Sequence, residues 1–460
     1  MIRYVAIIDL GKTNSKVALV DTLTATEVHL ITQPAAVSSE TLYPSLDHQA
    51  IEKFVIDGLR SLSSVRTIDA ITVTTHGATA ALLNAAGQLA LPVLDYEFTG
   101  VDETRDEYNL HRPTFADTGS PALPAGLNIG AQLYWQQTHH KRQFATACTL
   151  LTWPQYWVYL LCGDRHNDVT SLGCHSDLYE PQRQRYSSLI DKLNWQKLMP
   201  DTQHSGQVSG TLEPSIAMST GLRTTTPVHT GIHDSNASLV PHLIAREAPF
   251  SVVSTGTWFI AMAIGGVPTR LDERKDTLLN VNARGDSVPS ARFMGGRERE
   301  LLQVSKVASE LAMERLLDDT TSPTMFMPSV IAGTGPHPDS EHQWVGTDAR
   351  EDRELSDCAV TLYLALMTHE CLLLIGSRGP TYIEGPLAHD IYYARMLAAV
   401  SQRPVFISAS HTGTSVGAAM LIRAPEQFPD YELIDLDDAQ RYKLERYAAR
   451  WRAQLLVHTR

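Results

Sequence analysis

Near the N-terminus, Ile7-Ile8-Asp9-Leu10-Gly11-Lys12-Thr13-Asn14-Ser15-Lys16-Val17-Ala18-Leu19-Val20 reads as strand, tight turn, strand. In the middle of the chain, Phe250-Ser251-Val252-Val253-Ser254-Thr255-Gly256-Thr257-Trp258-Phe259-Ile260-Ala261-Met262-Ala263-Ile264 reads the same way. Two hairpins of one design, each opening half of a chain, point to two related α/β halves facing each other across a cleft. Each would then offer a phosphate-gripping turn.

The first turn carries the donors. Gly11 lets the backbone fold tightly, Thr13, Asn14 and Lys16 supply hydroxyl, amide and ammonium groups, and Asp9 ends the strand with a carboxylate. That mixture suits a phosphate chain with its Mg²⁺. Gly-Lys-Thr does not make a P-loop, because Ala6 stands where that motif needs glycine and a strand follows where it needs a helix. A polar β-hairpin is the plain alternative for either turn alone.

A chain of 460 residues exceeds what one hydrophobic core usually serves, so two domains are expected. The formal net charge of −13 disfavours a nucleic-acid partner or an acidic membrane surface. No run of about 18 apolar residues and no signal segment is read, which leads to the expectation of a cytoplasmic protein. The five cysteines, Cys148, Cys162, Cys174, Cys358 and Cys371, have no C-x-x-C spacing and read as buried thiols.

Periodicity predicts strands at Glu27–Thr32 and Ala70–Thr75, and helices at about Leu46–Leu62 and Ile129–Gln137. Trp153, Tyr156, Trp157 and Tyr159 sit on a helix stopped by Gly163 and read as core. Thr74-Thr75-His76-Gly77 lies at a strand's C-terminal end, where ligand groups collect in α/β domains, although a lone histidine there is often structural. The acidic run from Asp95 to Glu107 reads mostly as a solvated face, with Asp95 at its start a candidate for sugar hydroxyls. A polar, proline-bearing stretch places the domain boundary near Pro227–Gly231, giving domains 1–228 and 229–460. In Gly231-Ile232-His233-Asp234, Asp234 opens a small-residue helix; a helix cap is its plain reading. Later elements are a long helix from about Phe293 through Leu316, a helix Leu355–Ile375, a strand Thr381–Glu384, a helix Leu387–Val400, a strand Val405–Ile407 and a small-residue helix from Thr412-Gly413 through Ala419.

Taken in this order, the pieces resemble the FGGY carbohydrate kinases of the actin-like (RNase H-like) ATPase fold, over nearly the whole chain. Asp9 to Lys16 is similar to the first phosphate motif, Gly231 to Asp234 with Ala237 to the general-base segment, Ser254 to Trp258 to the second phosphate motif, and Glu384-Gly385-Pro386 through Gly413–Ala419 to the adenosine segment. The family's consecutive glycines are replaced here by Glu384-Gly385-Pro386, and Asp95-Tyr96-Glu97 fits its sugar segment only loosely.

The resemblance implies ATP and Mg²⁺ as cofactors and an open-chain ketose as acceptor, such as L-fuculose, L-rhamnulose or a pentulose. It implies Mg²⁺ at Asp9, nucleotide contacts from Gly11, Lys12, Thr13, Asn14, Lys16, Thr255, Gly256, Thr257, Gly385 and Ser415, and sugar contacts from His76, Gly77, Asp95 and Asp234. Asp234 would be the base that takes the proton of the attacking hydroxyl. Sugar and ATP are the expected partners, with a homodimer left open. A non-catalytic or regulatory ATP-binding module of the same fold is the alternative, and Asp234 in its matching position argues against it.

Overall fold

The computed structural model describes residues 2–304, 309–318, 323–346, 352–408, 413–428 and 430–458. The chain forms two compact units: residues 1–245, 279–287 and 412–428 make the first, and 246–278, 288–411 and 429–460 the second.

The first unit is built on a mixed sheet. Its order is Val208–Thr211, Pro227–His229, Ala70–Thr75, Tyr4–Leu10, Asn14–Asp21 and Thr26–Pro34, with Ile232–His233 also paired to Ala70–Thr75. Tyr4–Leu10 runs antiparallel to Asn14–Asp21 and parallel to Ala70–Thr75. Strand alternation sorts the side chains by face. Ala6, Ile8, Val17 and Leu19 pack beneath the helices His48–Val65 and Trp153–Cys162, with Trp153 and Trp157 in the same cluster. Val5, Ile7, Ala18 and Val20 face the other way, onto Ala237, Val240, Val416 and Ala419 of the helices Asp234–Ala245 and Thr414–Ile422. Each Val, Leu or Ile among them, fully removed from water, contributes about 1.5–3 kcal/mol. By the same alternation Asp9 and Lys16 fall on the second face, and the ladder pairs them directly.

The second unit repeats the plan. Phe250–Thr255 runs antiparallel to Phe259–Ile264 and parallel to Thr381–Glu384, which runs parallel to Val405–Ser408. The core here gathers on the helix Arg353–Leu374, where Cys358, Tyr363, Met367 and Leu372 are buried. That helix alone among the described residues is long and apolar enough to cross a bilayer, and 83% of its apolar window is buried in the protein. Its apolarity therefore serves a core.

Several expectations need correction. The boundary falls at Ala245/Arg246 and not after residue 228, so Asp234 and its helix belong to the first unit. The physical reason is the strand pairing: Ile232–His233 extends the first sheet and carries the helix with it. The segment from Gly413 also joins the first unit, because the helix Thr414–Ile422 packs on the Asp234 helix; Thr412 lies outside the described residues. The expected long helix through Leu316 is two helices, Gly295–Leu301 and Glu310–Asp318, with 305–308 outside the described residues. The helix after Gly385 begins as a single tight turn, Pro386–His389, before Ile391–Ser401.

The two first-unit helices cross closely because Gly417 has no side chain. A Cβ there would lie 1.9 Å from the carbonyl oxygen of Ala237. Gly417→Ala should therefore push the helices apart and cost about 1–3 kcal/mol, the usual cost of overpacking, read as a lower midpoint in a thermal melt. A melt unchanged from the wild type would contradict this packing.

Candidate active site

Three strand ends bring the chemistry together in the first unit. The register sets Asp9 beside Thr74 and Leu10 beside Thr75, while Ile232 and His233 lie on the other side of the same two threonines. One residue beyond these pairs stand His76 on one strand and Asp234 on its neighbour. Parallel strands ending at one level thus align an acid, an imidazole and a second acid.

Asp9 is 3% exposed, and its Oδ2 accepts from Thr414 Oγ1 and, at 3.4 Å, from Ser415 Oγ. Lys16 Nζ lies 3.6 Å from the same oxygen. Burial pushes the Asp9 carboxyl above its ordinary range, opposed by the Thr414 bond and the Lys16 charge, and the nearby Asp234 charge adds to the rise.

Asp234 opens its helix, but it does not cap it in the usual way. A capping side chain accepts from the N–H two or three residues on. Here Oδ1 accepts from the adjacent Ser235 N–H at 2.6 Å and meets His233 Nε2 at 3.2 Å. No hydrogen bond from a described residue reaches Oδ2, and the side chain keeps 28% of its exposure. Burial raises the Asp234 carboxyl above the ordinary aspartate range, opposed by a His76 charge where that ring is protonated and by the Ser235 hydrogen bonds. Such a carboxylate has one oxygen fixed and one presented.

His76 donates from Nδ1 to the carbonyl of Gly77 at 2.9 Å, which leaves Nε2 as an acceptor; burial holds the ring neutral by lowering its pKa. Tyr96 packs edge-on against it at 5.4 Å between ring centres. Lys12 turns to this end of the site. Its Nζ pairs with Asp95 Oδ1, lies 3.3 Å from Glu97 Oε2 and sits 4.7 Å from the centre of the Tyr96 ring. Lys12, expected beside the nucleotide, lies against the Asp95–Glu97 turn, where two carboxylates and an aromatic face are within its reach. Thr13 and Asn14 stay exposed at the tip of the turn, which Gly11 closes with a 3.0 Å bond from its N–H to the Asn14 carbonyl.

Gly77, expected at the sugar, has a packing role: a Cβ there would lie 2.8 Å from His233 Nε2. Ser415, expected at the adenosine, is fully buried and turned toward Asp9.

In the second unit the turn after Phe250–Thr255 is closed by the Gly256 N–H on the Trp258 carbonyl at 3.1 Å. Thr257 and Gly256 are exposed, whereas Thr255 is 1% exposed. The Thr255 hydroxyl donates to the Glu384 carbonyl at 2.6 Å and accepts the Leu387 N–H at 3.1 Å. The hydroxyl thus holds the turn to the Glu384–Leu387 segment. Gly385, at φ +87°, passes over this threonine, and a Cβ would meet the Thr255 carbonyl at 2.7 Å. Gly296 supports the turn from beneath, where a Cβ would come within 2.1 Å of the Gly256 carbonyl. A cavity of about 220 Å³ opens here, lined by Gly256, Thr257, Gly296, Arg297, Arg299 and Pro386 among others. In the sequence Gly296 and Arg297 fall only at the opening of the long helix expected through Leu316; the signal available was the glycine pair Gly295-Gly296 beside a guanidinium, which is weak without the fold.

Two units of this topology, each with a glycine turn after its first strand, define the actin-like ATPase class. Residues 4–241 match the model of the FGGY family of carbohydrate kinases, N-terminal domain, and residues 247–430 match carbohydrate kinase FGGY, C-terminal domain. The chain belongs to the FGGY family of carbohydrate kinases. It is 28% identical over 279 residues to L-fuculokinase of Salmonella typhi, a match covering 57% of each chain and so little more than half the length of that relative. It is 35% identical to a carbohydrate kinase from Novosphingobium aromaticivorans, whose crystal structure superposes with a TM-score of 0.91 over 99% of both chains. The ligand-bound xylulose kinase of Lactobacillus acidophilus, 13% identical, shares the fold with a TM-score of 0.79 over 98% of this chain and 97% of its own.

The Thr255 assignment has a direct check. Thr255→Val keeps the shape and removes the hydroxyl, taking from the Leu387 N–H the acceptor it has in the wild type, so stability should fall by about 1–3 kcal/mol. Chemical denaturation that finds equal stability would return the hydroxyl to a ligand role.

Proposed function

We propose that this protein transfers the γ-phosphoryl group of ATP to a hydroxyl of an open-chain ketose, an L-fuculose- or L-rhamnulose-like deoxyhexulose or a pentulose such as xylulose or ribulose. The observation that carries the reading is Asp234, a carboxylate with one oxygen anchored, the other open, and a proton affinity raised by burial. A cytoplasmic setting, where ATP and phosphorylated sugars are handled, accords with this chemistry.

The residues fit the groups this reaction needs. Asp9 with the Thr414 and Ser415 hydroxyls is an all-oxygen donor set with a single carboxylate, which suits Mg²⁺, an ion that keeps several waters and takes one or two carboxylates. Bound there, Mg²⁺ would offset phosphate charge. In the second unit, Gly256 and Gly296 leave a backbone cradle free of side chains beside Arg297 and Arg299, which suits phosphate oxygens.

Within the first unit, Asp234 Oδ2 accepts the proton of the attacking hydroxyl as the oxygen–phosphorus bond forms. His76 Nε2, an acceptor, holds a neighbouring sugar hydroxyl. The Lys12 ion pairs leave two carboxylates against one ammonium at the sugar end, an environment suited to neutral polyols. The Thr414 hydrogen bond and the Lys16 charge oppose the rise that burial imposes on the Asp9 carboxyl. The alternative of a nucleotide-binding module without catalysis predicts no sugar-dependent turnover.

A coupled ADP-release screen over ketoses and polyols tests the reaction. Asp234→Asn should leave folding and ATP affinity intact while kcat falls by at least about 10²-fold, the lower end for general-base catalysis. A stable variant with near-normal kcat would overturn the base assignment. Asp9→Asn should raise the Mg²⁺ concentration needed for half-maximal turnover, and wild-type turnover at limiting Mg²⁺ would overturn the metal role.

A further inference from the structure

Resting on the kinase reading above, in which His76 and Asp234 face the sugar, we infer that Lys12 is a positioning residue for the sugar end of the site. Its ammonium ties the turn Gly11–Asn14 to the Asp95–Glu97 turn and so holds Tyr96 against His76. The two lysines of the first hairpin serve different ends. Lys16 Nζ lies 3.6 Å from Asp9 Oδ2, the carboxylate that the Mg²⁺ assignment uses. Lys12 Nζ donates to Asp95 Oδ1, lies 3.3 Å from Glu97 Oε2 and stands 4.7 Å from the centre of the Tyr96 ring. An ammonium offers three donors from one point, so a single lysine serves two carboxylates and a ring face together.

The pair is sheltered from water. The Lys12 side chain keeps 20% of its exposure and the Asp95 side chain 8%, so solvent screens their attraction less than it would on an open surface. The turn's backbone has anchors of its own. Asp95 N–H donates to the Pro44 carbonyl at 3.0 Å, Gly126 N–H to the Tyr96 carbonyl at 2.8 Å, and Glu97 N–H to Asp95 Oδ1 at 3.0 Å. The Tyr96 ring is placed differently, by Lys12 over its face and by His76 at 5.4 Å, the two rings meeting edge to face.

A continuous row thus runs from the hairpin tip to the base within the first unit. Burial pushes the Tyr96 phenol pKa up, and the Glu97, Asp234 and Asp95 charges add to the rise, which sets the ring among all three carboxylates. Burial keeps the His76 ring neutral, and the Lys12 charge works in the same direction. Removing the ammonium takes from the buried Asp95 carboxylate the cation it pairs with, in the turn that carries this ring. The loss falls on the fit of the ketose. Phosphate contacts are left to Thr13 and Asn14, which stay exposed at the tip.

The test measures KM for Mg-ATP and for the ketose that the wild type turns over fastest. It compares the wild type with Lys12→Met, Lys12→Gln, Lys12→Arg, Asp95→Asn and the double variant Lys12→Met/Asp95→Asn in the full chain, each checked by thermal melt. Lys12→Met and Lys12→Gln should raise the ketose KM about 10-fold, the scale of one charged hydrogen bond, with the Mg-ATP KM within about 2-fold and kcat within about 3-fold. Lys12→Arg keeps the charge and the reach and should restore most of the ketose KM. Because the two residues act as one pair, the double variant should be little worse than the poorer single variant. If a folded Lys12→Met or Lys12→Gln raises the Mg-ATP KM and leaves the ketose KM unchanged, the ammonium serves the nucleotide, and the inference fails while the kinase reading stands. Effects of Lys12→Met and Asp95→Asn that multiply in the double variant would equally overturn it. A wild-type enzyme that turns over no sugar would remove the kinase reading and this inference with it.

Discussion

The parallel pairing of Ala70–Thr75 with Tyr4–Leu10 on one side and Ile232–His233 on the other is the constraint on which the first unit's chemistry depends. Parallel ladders set strand ends level, and side-chain alternation then decides which residues share a face. Asp9 shares its face with Val5 and Ile7, so the packing that buries those two side chains also directs the carboxylate toward Thr414 and Ser415. A one-residue slip would send Asp9 to the opposite face. Buried hydrophobic area therefore specifies the position of the charge.

Glycines do comparable work where backbones approach. Gly417 admits the helix crossing that carries Thr414 to Asp9, and Gly296 and Gly385 admit the close stacking around the second turn. Gly77 admits the imidazole that meets Asp234. Only Gly385 among these has a backbone conformation that disfavours side chains; at the other three the requirement is space. Gly77 and Gly385, read from the sequence as ligand positions, are also places where the backbone packs too closely for a side chain.

Much of the fold was legible. The two hairpins, the strand Ala70–Thr75 and the helix stop at Gly163 follow from period and turn chemistry, and the duplication followed from the hairpins. The boundary was not legible, because a proline-rich polar stretch resembles a linker whether or not the next strand returns to the same sheet. Ile232–His233 is too short to announce itself as a strand, yet its pairing moves Asp234 into the first unit. Local chemistry likewise hid the destinations of Lys12 and Ser415: each carries a group suited to phosphate, and each is held by residues far away in sequence, Asp95 for one and Asp9 for the other. Asp9, Asp234 and His76 stood out in the sequence because a strand end followed by a polar residue is a local signal.

The central claim is that Asp234 takes the substrate proton from a site that raises its proton affinity. The pH dependence of kcat/KM for the ketose, at saturating Mg-ATP, reports the ionisation of that base before the sugar binds. Because the base works when ionised and its pKa is raised, activity should disappear on acidification with a midpoint above the ordinary aspartate value of about 3.9. The residual activity of Asp234→Asn should lack that limb. A midpoint at or below the ordinary value, or the same limb persisting in the variant, would contradict the account.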